Sequence, residues 1–207
     1  MKNKILIFVI ILSTIYLLRS IIYFYFADIA YNNNNLLSAI TYNPTEPIYH
    51  SKLGLALSQE KDPKAIYYSN IAVSISPFNL NILKDRAQTF FYLSSLDTNN
   101  FTKCIDTLET IMELAPTDPK IPYLIGQFLE VVDKQKETIP YYQKAIELKE
   151  NYDDAHFALG KIYYAQKQYD LAKTELEKTL IIAPQNTEAQ ALLSSLPAND
   201  KLVPDSP

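Results

Sequence analysis

A chain of 207 residues with a formal charge of −4 and a pI near 5.2 lacks the clustered Lys and Arg that a phosphate backbone demands, which argues against a nucleic-acid partner. Its three glycines leave no Gly-rich phosphate loop, no dinucleotide fingerprint and no Gly-x-Ser-x-Gly elbow. The single cysteine, Cys104, cannot form an intrachain disulfide and is silent on redox compartment.

In chain order, residues 5–26 (ILIFVIILSTIYLLRSIIYFYF) hold one charge, Arg19, and would span about 33 Å as a helix. Lys2 and Lys4 precede the run and Asp28 follows it, so the positive-inside rule predicts a cytoplasmic N-terminus with the bulk of the chain outside. Residues 1–30 are therefore expected to form a single-pass transmembrane anchor, with Arg19 snorkelling to an interface rich in Tyr23, Tyr25 and Tyr31. A cleaved secretory signal is the competing reading, against which no small-x-small site follows the run.

Residues 31–45 hold one short helix, in which Ala39 and Pro44 are spaced as a small packing residue and a terminating proline. It has no first helix of its own, and the end of the apolar helix is the expected partner. A plain polar turn over the Asn run is compatible with that.

Residues 46–186 read as pairs of amphipathic helices. Residues 46–79 place His50, Leu53 and Gly54 on a first helix and Ala65, Ala72 and Pro77 on a second. Residues 80–118 form a longer, degenerate pair in which Tyr92 replaces the small residue, Cys104 takes the small position on the second helix and Pro116 closes the unit. The extra length is expected in the first helix or the loop.

Two blocks then repeat at 34 residues over 119–186, with Gly126 recurring as Gly160, Leu129 as Tyr163, Tyr142 as Leu176 and Ala145 as Thr179. His156, Leu159, Gly160 and Tyr163 make one apolar stripe, and Ala172, Leu176 and Leu180 make the facing one. Gly160 and Ala172 are expected at the closest approach of their helices, and Pro184 ends the second helix. Residues 187–196 predict a capping helix, and 197–207 a disordered polar tail.

Chemistry-bearing residues are few. His50 and His156 each lie four positions before a glycine, a packing slot of the pair, and read as structural rather than as ligand or base. No second His or Cys stands at metal spacing, so neither metal nor cofactor is expected. The acid pairs Asp153-Asp154 and Glu175-Glu177 read as a helix cap and a solvated face.

The 34-residue pattern, strongest in YYQKAIELKENYDDAHFALGKIYYAQKQYDLAKTELEKTL, resembles tetratricopeptide repeats. That resemblance implies an all-α, right-handed superhelix of antiparallel helix pairs, three full repeats plus a partial one, whose concave face binds a protein or peptide and catalyses nothing. The matching inner-face positions are Tyr123, Gln127, Glu130, Asp154, Phe157, Lys161 and Tyr164. Such aromatic and mixed-charge residues suit peptide recognition, or they merely cover the groove. Repeats that clamp a C-terminal carboxylate carry Lys and Asn where this chain has Tyr123, Gln127 and Ala158, so the resemblance stops short of that clamp.

More narrowly, ADIAYNNNNLLSAITYNPTEPIYHSKLGLALSQ and ISPFNLNILKDRAQTFFYLS resemble the juxtamembrane repeat regions of bacterial O-antigen ligase-like membrane proteins. Those proteins have about a dozen membrane helices and this sequence shows one. The resemblance implies either an envelope-side scaffold or an accessory portion of a glycan-transfer system beside a polytopic partner.

Overall fold

The computed structural model describes residues 2–197, apart from the side chains of residues 2–8 and Gln135, and every regular element among them is helical. The predicted tail at 197–207 falls beyond the described residues except for Pro197, and so do the side chains of Lys2 and Lys4. The helices are α1 (Lys2–Asn32), α2 (Leu36–Tyr42), α3 (Pro47–Gln59), α4 (Lys64–Ile75), α5 (Leu80–Leu93), α6 (Asn99–Leu114), α7 (Lys120–Val131), α8 (Gln135–Leu148), α9 (Asp153–Ala165), α10 (Tyr169–Ile182) and α11 (Thr187–Ser194). They fall into two compact units, one ending at Thr107 and one beginning at Leu108.

One turn chemistry recurs through both units. Asn34, Lys61, Asp133 and Lys167 take left-handed φ values of 59°, 59°, 58° and 61° at the ends of α1, α3, α7 and α9. In each turn the next amide reaches back to close the helix: Asn35 to Ala30, Asp62 to Leu57, Lys134 to Leu129 and Gln168 to Tyr163, at 2.8 to 2.9 Å. These bonds satisfy carbonyls that a helix end otherwise leaves unpaired, and they reverse the chain into the next helix. Counting seven residues back from each left-handed residue gives Ala27, Gly54, Gly126 and Gly160, all buried. The last turns of α1 thus occupy the place of a repeat's first helix, and Ala27 is its small residue. Alanine inside an apolar run carries no periodic signal, so the sequence shows no sign of this role for Ala27.

In the first unit Ala27, Ala39 and Tyr49 form a buried cluster flanked by Ala30, Tyr31, Ile40 and Ile48, which joins α1, α2 and α3. Asp85 of α5 is buried and accepts from Ser51 Oγ at 2.8 Å and Lys52 Nζ at 2.9 Å, tying α5 to α3. The longer pair differs from expectation. Its small residue is buried Ala87 rather than Tyr92, and the Cys104 thiol donates to the Ala87 carbonyl at 3.2 Å. The extra length is shared between α5, with 14 residues, and α6, with 16.

In the second unit the glycine crossings also differ from expectation. A Cβ on Gly160 would lie 2.9 Å from both Cγ and Cδ2 of Leu176, and one on Gly126 would lie 2.5 Å from Cε1 of Tyr142. Gly160 therefore faces Leu176, not Ala172. A large side chain on the second helix fills the notch that glycine leaves, which is ridge-into-groove packing rather than small residue against small residue. Ala172 is buried instead in a cluster with Tyr142, Leu159, Ile162 and Tyr163. Ala145 packs with Tyr152 and Ala155, so it serves the crossing of α8 with α9. Pro184 lies just beyond α10, where its carbonyl accepts from Gln190 Nε2 at 2.7 Å in the turn to α11.

Candidate functional site

Within the second unit α7 presents Tyr123, Gln127 and Glu130 at i, i+4 and i+7, and α9 presents Asp154, Phe157, Ala158 and Lys161 at i, i+3, i+4 and i+7. Together with Val131 and Tyr142 these residues line a cavity of about 350 Å³. Six of the seven residues expected on the inner face therefore share one hollow. Tyr164, the seventh, turns elsewhere: its hydroxyl accepts from Ser195 Oγ at 3.1 Å and its ring meets that of Tyr169 at 6.0 Å.

The hollow has a tyrosine wall. The Tyr123 ring lies 5.5 Å from that of Tyr142 and 5.0 Å from that of Tyr152. Gln127 Nε2 donates to the Tyr123 hydroxyl at 3.0 Å, and the Tyr142 hydroxyl donates to the Glu130 carboxylate. Burial, followed by the negative charge of Asp154 and the neighbouring Tyr152, Glu130 and Asp153, pushes the Tyr123 hydroxyl up to about 12. Burial and the hydrogen bond to Glu130 also push Tyr142 upward. Acidic groups therefore surround Tyr123, while Lys149 Nζ lies 4.8 Å from the Tyr152 ring centroid. Lys161 is the cation of the lining, and its ammonium lies 5.5 Å from the Phe157 ring centroid. Val131 and Tyr142 were missed as lining residues. The signal for Tyr142 was present, since it stands 34 residues before Leu176, in the slot that fills the glycine notch.

Both histidines lie outside the hollow and do structural work. His50 Nε2 donates to the Pro44 carbonyl at 2.8 Å, and His156 Nε2 donates to the Glu150 carbonyl at 2.9 Å. Each ring so pins the turn that precedes its own helix. His156 Nδ1 also meets Glu175 at 2.5 Å, whereas His50 Nδ1 is buried with no partner and its ring stacks on Tyr68 at 6.2 Å. Glu175 is thus partly buried against His156, while its other oxygen pairs with Lys178 Nζ at 3.2 Å at the solvated edge, and Glu177 is exposed as expected. Burial pushes the Cys104 thiol up to about 12, far from a reactive thiolate. Among the described residues no group of three His, Cys, Asp or Glu is placed to hold a metal ion.

The tetratricopeptide repeat family model matches residues 136–196. Among solved structures, the C-terminal part of a TPR repeat-containing protein from Cytophaga hutchinsonii superposes with a TM-score of 0.70 at 18% identity, over 84% of this chain and 73% of that one. MamA from Desulfovibrio magneticus RS-1 superposes at 0.62 with 16% identity, over 81% of this chain and 97% of that one. YrrB, described as a TPR protein with an unusual peptide-binding site, superposes at 0.59 with 18% identity, over 76% of this chain and 79% of that one. A UDP-N-acetylglucosamine–peptide N-acetylglucosaminyltransferase from Giardia intestinalis is 29% identical over 100 residues, 47% of this chain but 7% of the relative. The chain spans only that small fraction of the transferase. The described helices have the tetratricopeptide-repeat fold, and residues 136–196 match that repeat family.

Proposed function

We propose that the hollow between α7 and α9 is a docking groove for a segment of another protein, and that the chain is a membrane-anchored, non-catalytic scaffold. The observation that carries this reading is the convergence of Tyr123, Gln127, Glu130, Asp154, Phe157 and Lys161 on one cavity of about 350 Å³. Aromatic walls interleaved with Gln127, Glu130, Asp154 and Lys161 suit a bound side chain that carries a polar group. The acidic groups around Tyr123 favour a segment bearing Lys or Arg, whose charge complements Glu130 and Asp154.

The anchoring reading is supported by Val9–Asn32, which has a mean hydropathy of 1.8 and no residue of its most apolar window buried. Apolar surface of this extent is costly in water, and a bilayer is the solvent that removes the cost. With Lys2 and Lys4 inside, the repeats lie on the extracytoplasmic side, in an envelope-assembly setting. A polytopic glycan-transfer protein is the alternative owner of the docked segment.

Asp154→Lys in the full chain tests the groove, because Asp154 is exposed and its replacement reverses the local field. Recovery of the partner with the detergent-extracted protein should fall about tenfold or more with the melting curve unchanged. Equal recovery would contradict the reading.

A further inference from the structure

The first unit has two unlike edges. The turns from α1 to α2, α3 to α4 and α5 to α6 form one edge, and the turns from α2 to α3 and α4 to α5 form the other, because consecutive helices run antiparallel. The former edge carries Glu60, Lys61, Asp62, Lys64 and Asp97. The latter consists of Asn43, Pro44, Thr45, Glu46, Ser76, Pro77, Phe78 and Asn79, with Glu46 as its sole charge. The Glu46 carboxylate is turned back to the Ile48 amide at 3.4 Å. On this edge Phe78 is 74% exposed, and Ile75 and Tyr42 are exposed as well.

The apolar part of α1 leaves the unit on the edge whose sole charge is Glu46. Tyr42, at the end of α2, sets its ring 6.2 Å from Tyr23 and 5.7 Å from Phe26, and so fixes the level of that edge along α1. A hydrocarbon core of about 30 Å takes about 20 helical residues, and counted from Ile5 these end at about Phe24. The two levels coincide, so the edge of Tyr42 and Phe78 lies at the depth where aromatic side chains gather at a bilayer surface.

Resting on the reading of α1 as a membrane span, we propose that this edge lies on the same lipid surface that α1 enters, with Phe78 and Ile75 seated among the headgroups as a second contact. The occupant is the phospholipid interface. An exposed phenylalanine on a turn without basic residues fits the apolar boundary of a bilayer rather than anionic headgroups.

The chain contains no tryptophan, so a single introduced indole reports on its own surroundings. Three variants of the full chain, Phe78→Trp, Leu96→Trp and Phe24→Trp, are reconstituted in phosphatidylcholine vesicles with and without bromine on the acyl chains near the carbonyl. Leu96 is the control, exposed on the charged edge beside Asp97. The proposal requires blue-shifted emission and loss of intensity to bromine at positions 78 and 24, with position 96 unaffected. Quenching at 24 without quenching at 78 overturns the proposal and leaves the anchor standing. Equal quenching at 78 and 96 overturns the edge assignment, and absence of quenching at 24 overturns the anchor itself.

Discussion

Gly126 and Tyr142 interlock: a methyl group added to Gly126 would stand 2.5 Å from the Tyr142 ring, whose hydroxyl is held by Glu130. The ring is buried and cannot swing aside without breaking that bond. Gly126→Ala should therefore cost about 1 to 3 kcal/mol by overpacking. Gly160→Ala meets Cγ and Cδ2 of Leu176 at 2.9 Å, a looser contact than the 2.5 Å at Gly126, and should cost less, while Gly160→Leu should cost as much as Gly126→Ala. Thermal melts of the three variants check the order, and a Gly126→Ala protein as stable as the parent would refute the notch.

His156 should matter more than His50. Its loss removes one of two partners of the partly buried Glu175, leaving Lys178 at 3.2 Å, and frees the Glu150 carbonyl as well, whereas loss of the His50 ring frees one carbonyl. His156→Gln should cost about 1 to 3 kcal/mol, and His50→Gln less. A double-mutant cycle with Glu175→Gln measures the coupling, and additivity of the two substitutions would contradict it. The packing slot that both histidines share, four positions before a glycine, made their structural role legible in the sequence. Which histidine had a carboxylate partner depended on the α4 register, where Tyr68 stands against the ring instead of an acid.

Alkaline stability follows from the tyrosine wall. Burial and the neighbouring carboxylates push the Tyr123 hydroxyl from its ordinary 10.0 up to about 12, so the fold favours the neutral hydroxyl. That contribution is complete below pH 10.0 and is lost as pH rises towards about 12, since the unfolded chain releases its proton first. Tyr142 is shifted in the same direction. Melting temperature should fall across this window, and Tyr142→Phe should flatten the fall. An unchanged slope in that variant would remove Tyr142 from the account.

Topology has its own test. A reporter that functions only outside the cytoplasm, fused after Pro207, should be active. Activity of a cytoplasm-only reporter at that position would reverse the orientation drawn from Lys2 and Lys4.

The 34-residue period made the helix pairs and six of the groove residues legible, because α7 and α9 obey the same i, i+4, i+7 spacing that the sequence displays. What it left hidden depended on rotation and partner size. Tyr164 lies three residues after Lys161, yet it is drawn towards Tyr169 and Ser195, contacts that no periodicity encodes. The pairing of Gly160 with Leu176 was obscured because small residues mark a close approach without saying what approaches. Ala87 was passed over for Tyr92 because the long pair lacks the left-handed residue that sets the count elsewhere, and Ser94 ends α5 at a φ of −64° instead.

The central claim is that the hollow between α7 and α9 holds a protein segment. A photo-crosslinking amino acid at Gln127, which is exposed at the hollow, gives the most direct measurement, with the same group at Leu171, exposed outside it, as reference. Irradiation of membranes containing the full chain should produce one discrete adduct from position 127, suppressed by Asp154→Lys, and none from position 171. No adduct at 127, or the same adducts from both positions, would contradict the groove.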